Sequence, residues 1–178
     1  SAQAAGHLSG MQWWRSDGGD AYTLRNPVTT EGVRARERLW TQILNVMLPA
    51  KPQSFIEFGA NVGVNLLALR GIAGVTPAQC VAIEPNATAR QELGENFFLG
   101  LHGLRIWEEL LPDAHPFDLA FTSGVLIHIS PDQLLDFCKD VYRMSSRWIV
   151  AIEYFSHTPQ EVEYRGEMGR MWKRDFGA

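Results

Sequence analysis

The sequence predicts an α/β fold in which helices cover both faces of a parallel sheet. Two observations carry this prediction. Five short apolar runs alternate along the chain with segments whose apolar residues recur at helical spacing, a pattern typical of βαβ units. A glycine-rich turn, "FGANVG", also follows the first of these runs, at the kind of junction where such folds bind ligands. Right-handed crossovers on both sides of the first strand then predict the strand order 3-2-1-4-5.

The individual elements follow from the apolar pattern. The predicted strands are short apolar runs, at 54–59, 80–85, 104–109, 117–124 and 147–154. The predicted helices carry an apolar stripe and a charged face, at 31–48, 62–72, 86–100 and 131–145. Ser130 and Gln133 form a capping-box pattern around Pro131, which marks the start of the last helix. Before residue 31, the segment "MQWWRSDGGDAYTLRNP" predicts an irregular arm with aromatic anchors.

Composition limits the classes of function. The 178 residues, 46% of them hydrophobic, are enough for one domain with a sizeable core. We divide the single domain 1–178 into an N-terminal arm (1–30), a sheet-and-helix core (31–155) and a C-terminal substrate or lid segment (156–178). The net charge of -4 gives no basic surface for nucleic acid, so nucleic-acid partners are not expected.

Cysteine usage and hydropathy indicate the cellular setting. Only Cys80 and Cys138 occur, far apart, which argues against a disulfide framework and against a four-ligand zinc site. We therefore predict no metal. No apolar run is long enough for a membrane span, and the opening "SAQAAGHLSG" lacks the charged and apolar regions of a signal peptide. These features predict a reduced, cytoplasmic protein without a membrane partner.

The first turn and the end of the second strand together predict a nucleoside site. Gly59 and Gly63 let the main chain approach a ligand, and the helix that follows begins with unpaired N–H groups. Glu84 ends the next strand, where a carboxylate can accept hydrogen bonds from the two hydroxyls of a ribose. The alternative is that the glycines only form a tight turn, and a carboxylate at the position of Glu84 argues against it.

Residues around the turn favour S-adenosylmethionine over a dinucleotide. Pyrophosphate-binding turns generally follow G-x-G-x-x-G, whereas this turn has Asn61 at its centre. Glu57, just before the turn, is a poor neighbour for a phosphate and a good one for an ammonium group. S-adenosylmethionine has such an ammonium and no phosphate, and S-adenosylhomocysteine would be its product.

Three motifs, "IEFGANVGVN", "VAIEP" and "FDLAFTSGVLIHI", resemble in order and spacing those of the class I, Rossmann-like S-adenosylmethionine-dependent methyltransferases. The segments "WWRSDGGDAYTLRN" and "IEYFSHTPQEVEYRGEMGRMWKRDFG" are similar to the methylases associated with pseudaminic acid biosynthesis. The resemblance covers most of residues 13–177. It implies methyl transfer to oxygen or nitrogen of a small polar acceptor, such as a sugar or nucleotide sugar related to nonulosonic acid biosynthesis.

The resemblance also implies cofactor contacts, residue by residue. It places Glu57, Gly59, Asn61 and Gly63 at the methionine and ribose end, Glu84 and Pro85 at the ribose, Glu109 and Leu110 at the adenine, and Thr122, Ser123 and Gly124 at the sulfonium. Asn61 replaces the family's usual central glycine. A polar contact from its side chain is therefore the expected substitute for close backbone approach.

The arm contains two further candidate cofactor-binding residues. Tyr22 and Arg25 are placed to fold over the cofactor, with Arg25 reaching the methionine carboxylate. The alternative is a structural role in which Trp13, Trp14 and Tyr22 pin the arm to the sheet. The two roles are compatible.

His128 and Tyr154 are the candidate catalytic residues, because each follows a predicted strand at the ligand-binding edge. His128 would act as a general base, and a capping or packing histidine is the alternative. Three cations of the C-terminal segment, Arg165, Lys173 and Arg174, are candidates to hold an anionic acceptor. Acidic neighbours leave a solvated, self-paired segment as the alternative, and similarity to the family's Y-R-G and K-R-D-F elements favours substrate binding.

The end of the sequence departs from the family pattern. Methyltransferases of this class usually finish with a sixth strand and an antiparallel seventh one, whereas no long apolar strand follows Tyr154. We therefore expect these terminal strands to be missing or truncated, and the fifth strand to leave an open edge suited to a homodimer.

Two other functions compete with methyl transfer. One is a non-catalytic partner subunit that binds S-adenosylmethionine or S-adenosylhomocysteine. The other is a nicotinamide-dependent oxidoreductase. Glu57, Asn61 and the lack of a clear Tyr-x-x-x-Lys pair argue against the oxidoreductase.

Overall fold

The computed structural model describes residues 10–98 and 103–177. Its helices are α1 (Gly10–Trp14), α2 (Asp17–Arg25), α3 (Thr30–Val46), α4 (Val64–Ala73), α5 (Ala87–Phe98) and α6 (Pro131–Arg143). Its strands are β1 (Phe55–Phe58), β2 (Cys80–Ile83), β3 (Arg105–Trp107), β4 (Phe117–Ser123), β5 (Ser145–Ile152), β6 (Gln160–Glu161) and β7 (Trp172–Lys173). Short 3₁₀ helices span Pro77–Gln79 and Leu126–His128.

Five strands form one parallel sheet in the order β3-β2-β1-β4-β5, which confirms the predicted α/β fold. In the central strand, Phe55 pairs with Cys80 of β2 on one side and with Leu119 of β4 on the other. β6 and β7 form a separate antiparallel pair within the C-terminal segment. Within the described residues, β5 is an edge strand of the main sheet.

Successive side chains of the central strands pack into two cores on opposite faces of the sheet. Phe55 packs with Trp40 of α3 in one core, whereas its neighbour Ile56 packs with Val141 of α6 in the other. The Trp40 ring lies 4.7 Å from the ring of Phe121, in an edge-on arrangement. Because β1 and β2 are covered on both faces, every residue in them is buried, and all of these residues except Glu57 are apolar.

The helix starts show local capping chemistry. Thr29 precedes α3, and its hydroxyl accepts a hydrogen bond from the Gly32 N–H at 3.0 Å. Pro131 begins α6 as predicted, but Ser130 donates from Oγ to the Gln133 side chain at 3.1 Å instead of capping the backbone. The helix predicted to end at residue 100 is described as far as Phe98, and the rest of that prediction lies outside the described residues.

The arm is helical from residue 10, which corrects the prediction of an irregular segment. Gly18 and Gly19 give α2 a weak intrinsic helix propensity, so its stability depends on packing. A Cβ on Gly19 would overlap the carbonyl oxygen of Trp14 and lie 2.6 Å from Nδ2 of Asn86. Glycine at this position therefore permits the close contact that joins α2 to α1 and to the start of α5.

Candidate active site

A cavity of about 780 Å³ opens at the carboxyl ends of β1, β2 and β4, beneath the two helices of the arm. Its volume lies in the range of small-molecule sites. The loops that follow the strands supply the largest share of its wall, and the rest comes from the strand ends, from the arm and from helices α3, α4 and α6. This is the edge at which parallel α/β sheets bind ligands, since all the strand ends and the following helix starts converge there.

The turn after β1 forms the floor of the cavity. Gly59, Asn61 and Gly63 all have positive φ angles, of 74°, 47° and 84°. Asparagine is among the few non-glycine residues that adopt this conformation readily, which explains how Asn61 replaces a glycine. Its side chain accepts a hydrogen bond from the Thr23 hydroxyl at 3.0 Å, so it ties the turn to α2.

Glu84 is buried at the end of β2 and braces the same turn. Its Oε2 accepts a hydrogen bond from the Asn61 N–H at 2.7 Å, and its Oε1 accepts one from the Asn86 N–H at 2.8 Å. Burial raises the pKa of Glu84, and these two hydrogen bonds oppose that shift. Each carboxylate oxygen has a second lone pair, so Glu84 keeps the capacity to accept from two ligand hydroxyls.

Glu57 lies on β1 at the back of the cavity and is 1% exposed. Its Oε1 accepts a hydrogen bond of 2.8 Å from Asn65, whose own side-chain oxygen accepts one of 3.2 Å from the Trp40 indole. Its Oε2 has no partner among the described residues. Burial raises the pKa of Glu57 to about 8, against the opposing effects of the Asn65 bond and of Arg36. The carboxyl group is therefore protonated near neutral pH, and a cationic ligand beside its unpaired oxygen would favour the ionised form.

The arm is fastened over the cavity by polar contacts. Asn86 donates from Nδ2 to the Trp14 carbonyl at 3.0 Å and to the Asp20 carboxylate at 2.9 Å. Arg15 pairs with Glu108 and Glu109, each at 3.5 Å, and so links the arm to the loop after β3. The arm therefore contributes both a wall of the cavity and its fastening to two strand ends.

His128 lies in the 3₁₀ helix after β4 and lines the cavity. Its Nδ1 is 2.7 Å from the carbonyl oxygen of Arg170. Its ring packs edge-on between Trp14 and Tyr164, with ring centroids 4.7 Å and 5.0 Å away. Burial lowers the pKa of His128, and the contact with the Arg170 carbonyl opposes that shift. The histidine is thus both packed and accessible to a ligand.

The end of β5 turns two neighbouring residues in different directions. Glu153 points into the fold, where its carboxylate accepts a hydrogen bond from the Val125 N–H at 3.1 Å. Tyr154 is 60% exposed, and the Lys173 ammonium lies 5.6 Å from the centre of its ring. The structure therefore does not bring Tyr154 to the wall of the cavity.

The cavity brings together most of the predicted site residues. Those on its wall are Tyr22, Glu57, Gly59, Asn61, Glu84, Pro85, Glu109, Leu110, Ser123, Gly124 and His128. Those outside its wall are Arg25, Gly63, Thr122, Tyr154, Arg165, Lys173 and Arg174. Gly63 precedes α4 as its N-cap, Thr122 is buried in β4, and Arg25 is exposed.

Sequence reasoning missed several polar residues on the cavity wall, among them Arg36 and Asn86. Arg36 of α3 lines the cavity, although the apolar pattern of that helix predicts it on the charged face. Arg36 lies three residues after Val33 and four before Trp40, which places it on the same face of the helix as these two packed residues. This spacing could have identified it. Asn86 was also missed. Its side chain caps α5 by accepting from the Ala89 N–H at 2.8 Å, and an asparagine just before a helix is the corresponding sequence pattern.

Residues 10–98 and 103–177 offer neither a metal centre nor a bilayer-spanning helix. No group of three or more His, Cys, Asp or Glu side chains there is arranged to hold a metal ion. None of the helices in that part of the chain combines the length and the apolar character needed to cross a bilayer.

Comparison with known proteins shows which of them share this architecture. No family model and no curated protein matches the chain. Among solved structures, it is similar to magnesium protoporphyrin IX methyltransferase (ChlM) from Synechocystis PCC 6803 with bound SAM, with a TM-score of 0.60 and 12% identity over 95% of this chain and 98% of that chain. It is also similar to a DhpI–SAH complex, with a TM-score of 0.56 and 16% identity over 92% and 77% of the two chains.

A third similar structure is the sugar N-methyltransferase KedS8 from Streptoalloteichus sp ATCC 53650, with a TM-score of 0.56 and 13% identity over 93% of this chain and 66% of that chain. At these identities the comparisons establish a shared fold. The chain therefore has the Rossmann-like fold of methyltransferases that have been crystallised with SAM or SAH.

Proposed function

We propose that the protein is a methyltransferase that uses S-adenosylmethionine as its methyl donor. The observation that carries the proposal is the pair of buried carboxylates on one cavity wall. Glu57 offers an unpaired oxygen, and Glu84 sits beside the glycine turn with lone pairs to spare. A nucleoside with vicinal hydroxyls and a nearby ammonium group would donate to both, whereas a pyrophosphate offers neither group a hydrogen-bond donor.

The cavity residues fit the donor group by group. Glu84 would accept from the ribose hydroxyls, and Glu57 would accept from the ammonium of the methionine portion. Arg36 lines the cavity, whereas Arg25 does not. We therefore assign to Arg36 the contact with the methionine carboxylate that was predicted for Arg25. Leu110 and Glu109 would border the adenine, and Ser123 with Gly124 would border the sulfonium.

The chemistry requires little from the protein beyond placement. Bound S-adenosylmethionine supplies a methyl group already activated by a positively charged sulfur. The protein must hold the acceptor atom in line, exclude water and, where the acceptor atom is protonated, remove that proton. His128 is the residue on the cavity wall suited to accept it, because burial lowers its pKa and keeps its imidazole neutral near neutral pH.

We propose a small polar acceptor, with a sugar or nucleotide sugar related to nonulosonic acid biosynthesis as the first class to test. Similarity of the two end segments to pseudaminic acid-associated methylases supports this choice, as does the shared fold with a sugar N-methyltransferase. Arg165, Lys173 and Arg174 in the C-terminal segment are the proposed contacts for an anionic group on the acceptor, and Tyr154 remains a proposed catalytic residue.

Binding and turnover experiments test the proposal in sequence. Calorimetry with S-adenosylmethionine, S-adenosylhomocysteine and NAD should show binding of the first two only. A screen with methyl-labelled S-adenosylmethionine over sugar and amino-sugar acceptors should then give a labelled product. Binding without transfer to any acceptor would favour the non-catalytic subunit, and binding of NAD alone would favour the oxidoreductase.

A further inference from the structure

The C-terminal segment reaches His128 through its main chain rather than through a side chain. The carbonyl oxygen of Arg170 lies 2.7 Å from Nδ1 of His128, and 42 positions separate the two residues in the sequence. A carbonyl oxygen can only accept a hydrogen bond. Nδ1 must therefore carry the proton, and in the neutral ring Nε2 carries the lone pair.

The peptide that presents this carbonyl is fixed on both sides. On one side, the Gly169 N–H donates to the Glu161 carboxylate. On the other, the Met171 carbonyl accepts from the Val162 N–H at 2.9 Å. These contacts hold the short segment from Gly169 to Met171 against the neighbouring strand β6.

The Arg170 side chain is the third anchor. It is 6% exposed, and its Nε donates to the Glu167 carboxylate at 3.0 Å. Its guanidinium also lies 5.5 Å from the ring centre of Trp13, a distance at which a cation and an aromatic ring attract. Arg170 thus connects the C-terminal segment to α1 of the arm while its own carbonyl faces His128.

We propose that Arg170 is a positioning residue that sets the tautomer of His128, with the proton on Nδ1 and the lone pair on Nε2. The alternative tautomer would place a lone pair of Nδ1 against a lone pair of the carbonyl oxygen at 2.7 Å, which is unfavourable. The consequence for turnover rests on the proposed function, whereas the tautomer itself does not.

The proton balance of the transfer step follows from this arrangement. The methyl group moves from sulfur to the acceptor oxygen or nitrogen, and the sulfur keeps the bonding electron pair as a neutral thioether. The O–H or N–H proton of the acceptor passes to Nε2 of His128. The resulting imidazolium keeps its Nδ1–H bond to the Arg170 carbonyl, which stabilises the positive charge.

Side-chain nitrogen NMR measures the tautomer directly. In the wild-type protein near neutral pH, the His128 signals, identified by their loss in His128→Gln, should show a protonated Nδ1 and an unprotonated Nε2. The exposed residues His115 and His157 serve as internal references. Arg170→Met should give a mixture of tautomers or the reverse tautomer at His128, and Glu163→Gln, an exposed change in the same segment, should leave the signals unchanged.

Kinetics supply the second readout. Arg170→Met should lower kcat by about tenfold or more and leave the affinity for S-adenosylhomocysteine unchanged. A positioned base contributes roughly 100-fold or more to the rate, and the variant should lose part of that contribution. If Arg170→Met does not fold, Glu167→Gln removes the charge partner of Arg170 at a half-exposed site and should shift the tautomer in the same direction.

Several results would overturn the proposal. A wild-type His128 with its proton on Nε2 would do so, as would a charged ring at neutral pH. An unchanged tautomer in both the Arg170 and the Glu167 variants would do so as well. A fixed Nδ1–H tautomer that is lost in Arg170→Met would support the proposal even if no acceptor is methylated, and in that case the proposed function would be the part that fails.

Discussion

The N–H of Asn61 donates a hydrogen bond of 2.7 Å to Oε2 of Glu84, which joins the turn after β1 to the end of β2. The same carboxylate holds the N–H of Asn86 at the start of α5. Two backbone segments that line the cavity are therefore fixed by one buried side chain. The contact makes Glu84 part of the architecture of the site as well as a candidate ligand-binding group.

Replacing Glu84 by alanine should weaken S-adenosylmethionine binding by about 1–3 kcal/mol, because the ribose hydroxyls and two backbone N–H groups lose their acceptor. Calorimetry measures the loss, and circular dichroism checks folding. Glu95→Ala, at an exposed carboxylate on the following helix, is the matched control and should bind normally. Unchanged affinity in Glu84→Ala would place the ribose elsewhere.

Two glycines with similar backbone angles should respond differently to alanine. Gly124 has φ +67° and open space where a Cβ would lie, so Gly124→Ala should cost only the strain of the left-handed conformation, about 1–2 kcal/mol of unfolding free energy. Gly59 has φ +74°, and a Cβ there would lie 2.5 Å from Cγ2 of Val125. Gly59→Ala should therefore cost about 1–3 kcal/mol more, the range for overpacking.

Urea unfolding of the two variants measures this difference. Val125→Ala in the Gly59→Ala background should recover part of the loss, since it removes the clashing methyl group and leaves the backbone strain. Equal losses at the two glycines would show that crowding by Val125 plays no part.

Glu57 should make the protein less stable as the pH rises. Its pKa is about 8 in the folded protein and near 4.5 in the unfolded chain, because folding buries the carboxyl group. Between these values the folded state binds a proton that the unfolded state has released, so unfolding free energy falls with increasing pH. The stabilisation is complete below pH 4.5 and is lost as the pH passes through about 8.

The Glu57→Gln variant provides the comparison. Glutamine imitates the protonated acid and cannot titrate, so the difference in unfolding free energy between wild type and variant should decline by at most about 1.4 kcal/mol per pH unit over this interval. Chemical unfolding at a series of pH values measures both curves. Parallel curves from pH 5 to 8 would contradict the raised pKa. Glu84 and Glu153 have raised pKa values too, so they add a slope of the same sign to both proteins.

Arg36 and Arg25 form a matched pair for locating the methionine carboxylate. Arg36 lines the cavity, whereas Arg25 is exposed and lies off its wall. Arg36→Ala should weaken S-adenosylhomocysteine binding by about 1.5–3 kcal/mol, the range for a hydrogen bond to a charged group, and Arg25→Ala should change it little. The reverse order of effects in calorimetry would return the role to Arg25.

The C-terminal cations should affect the acceptor and not the donor. Because Arg165, Lys173 and Arg174 lie off the cavity wall, alanine at each should raise the acceptor KM. At Arg165, which is exposed, the rise should be at most about fivefold, as expected for exposed ion pairs of roughly 0.2–1 kcal/mol. Added salt should reduce the effect through screening. A matching loss of S-adenosylhomocysteine affinity in all three variants would assign the segment to the donor instead.

The sequence determined the order of the sheet and the edge that holds the cavity. Apolar runs separated by helical patterns indicate which segments are strands, and right-handed crossovers placed on both sides of the first strand give the order 3-2-1-4-5. The positions of Gly59 and Glu84 at two adjacent strand ends then bring the turn and the carboxylate together, because parallel neighbours end at the same edge. These features depend on local patterns and on general rules of chain connection.

Tertiary packing decided the remaining features of the arm and the site, because these features depend on contacts between residues distant in the sequence. The arm is helical since Gly19 packs tightly against Trp14 and Asn86, a contact that local helix propensity does not contain. Arg36 rather than Arg25 reaches the cavity because the packing of α3 on the sheet turns that side of the helix inward. The tautomer of His128 depends on a carbonyl 42 positions away, and only the folded chain places that acceptor against the imidazole.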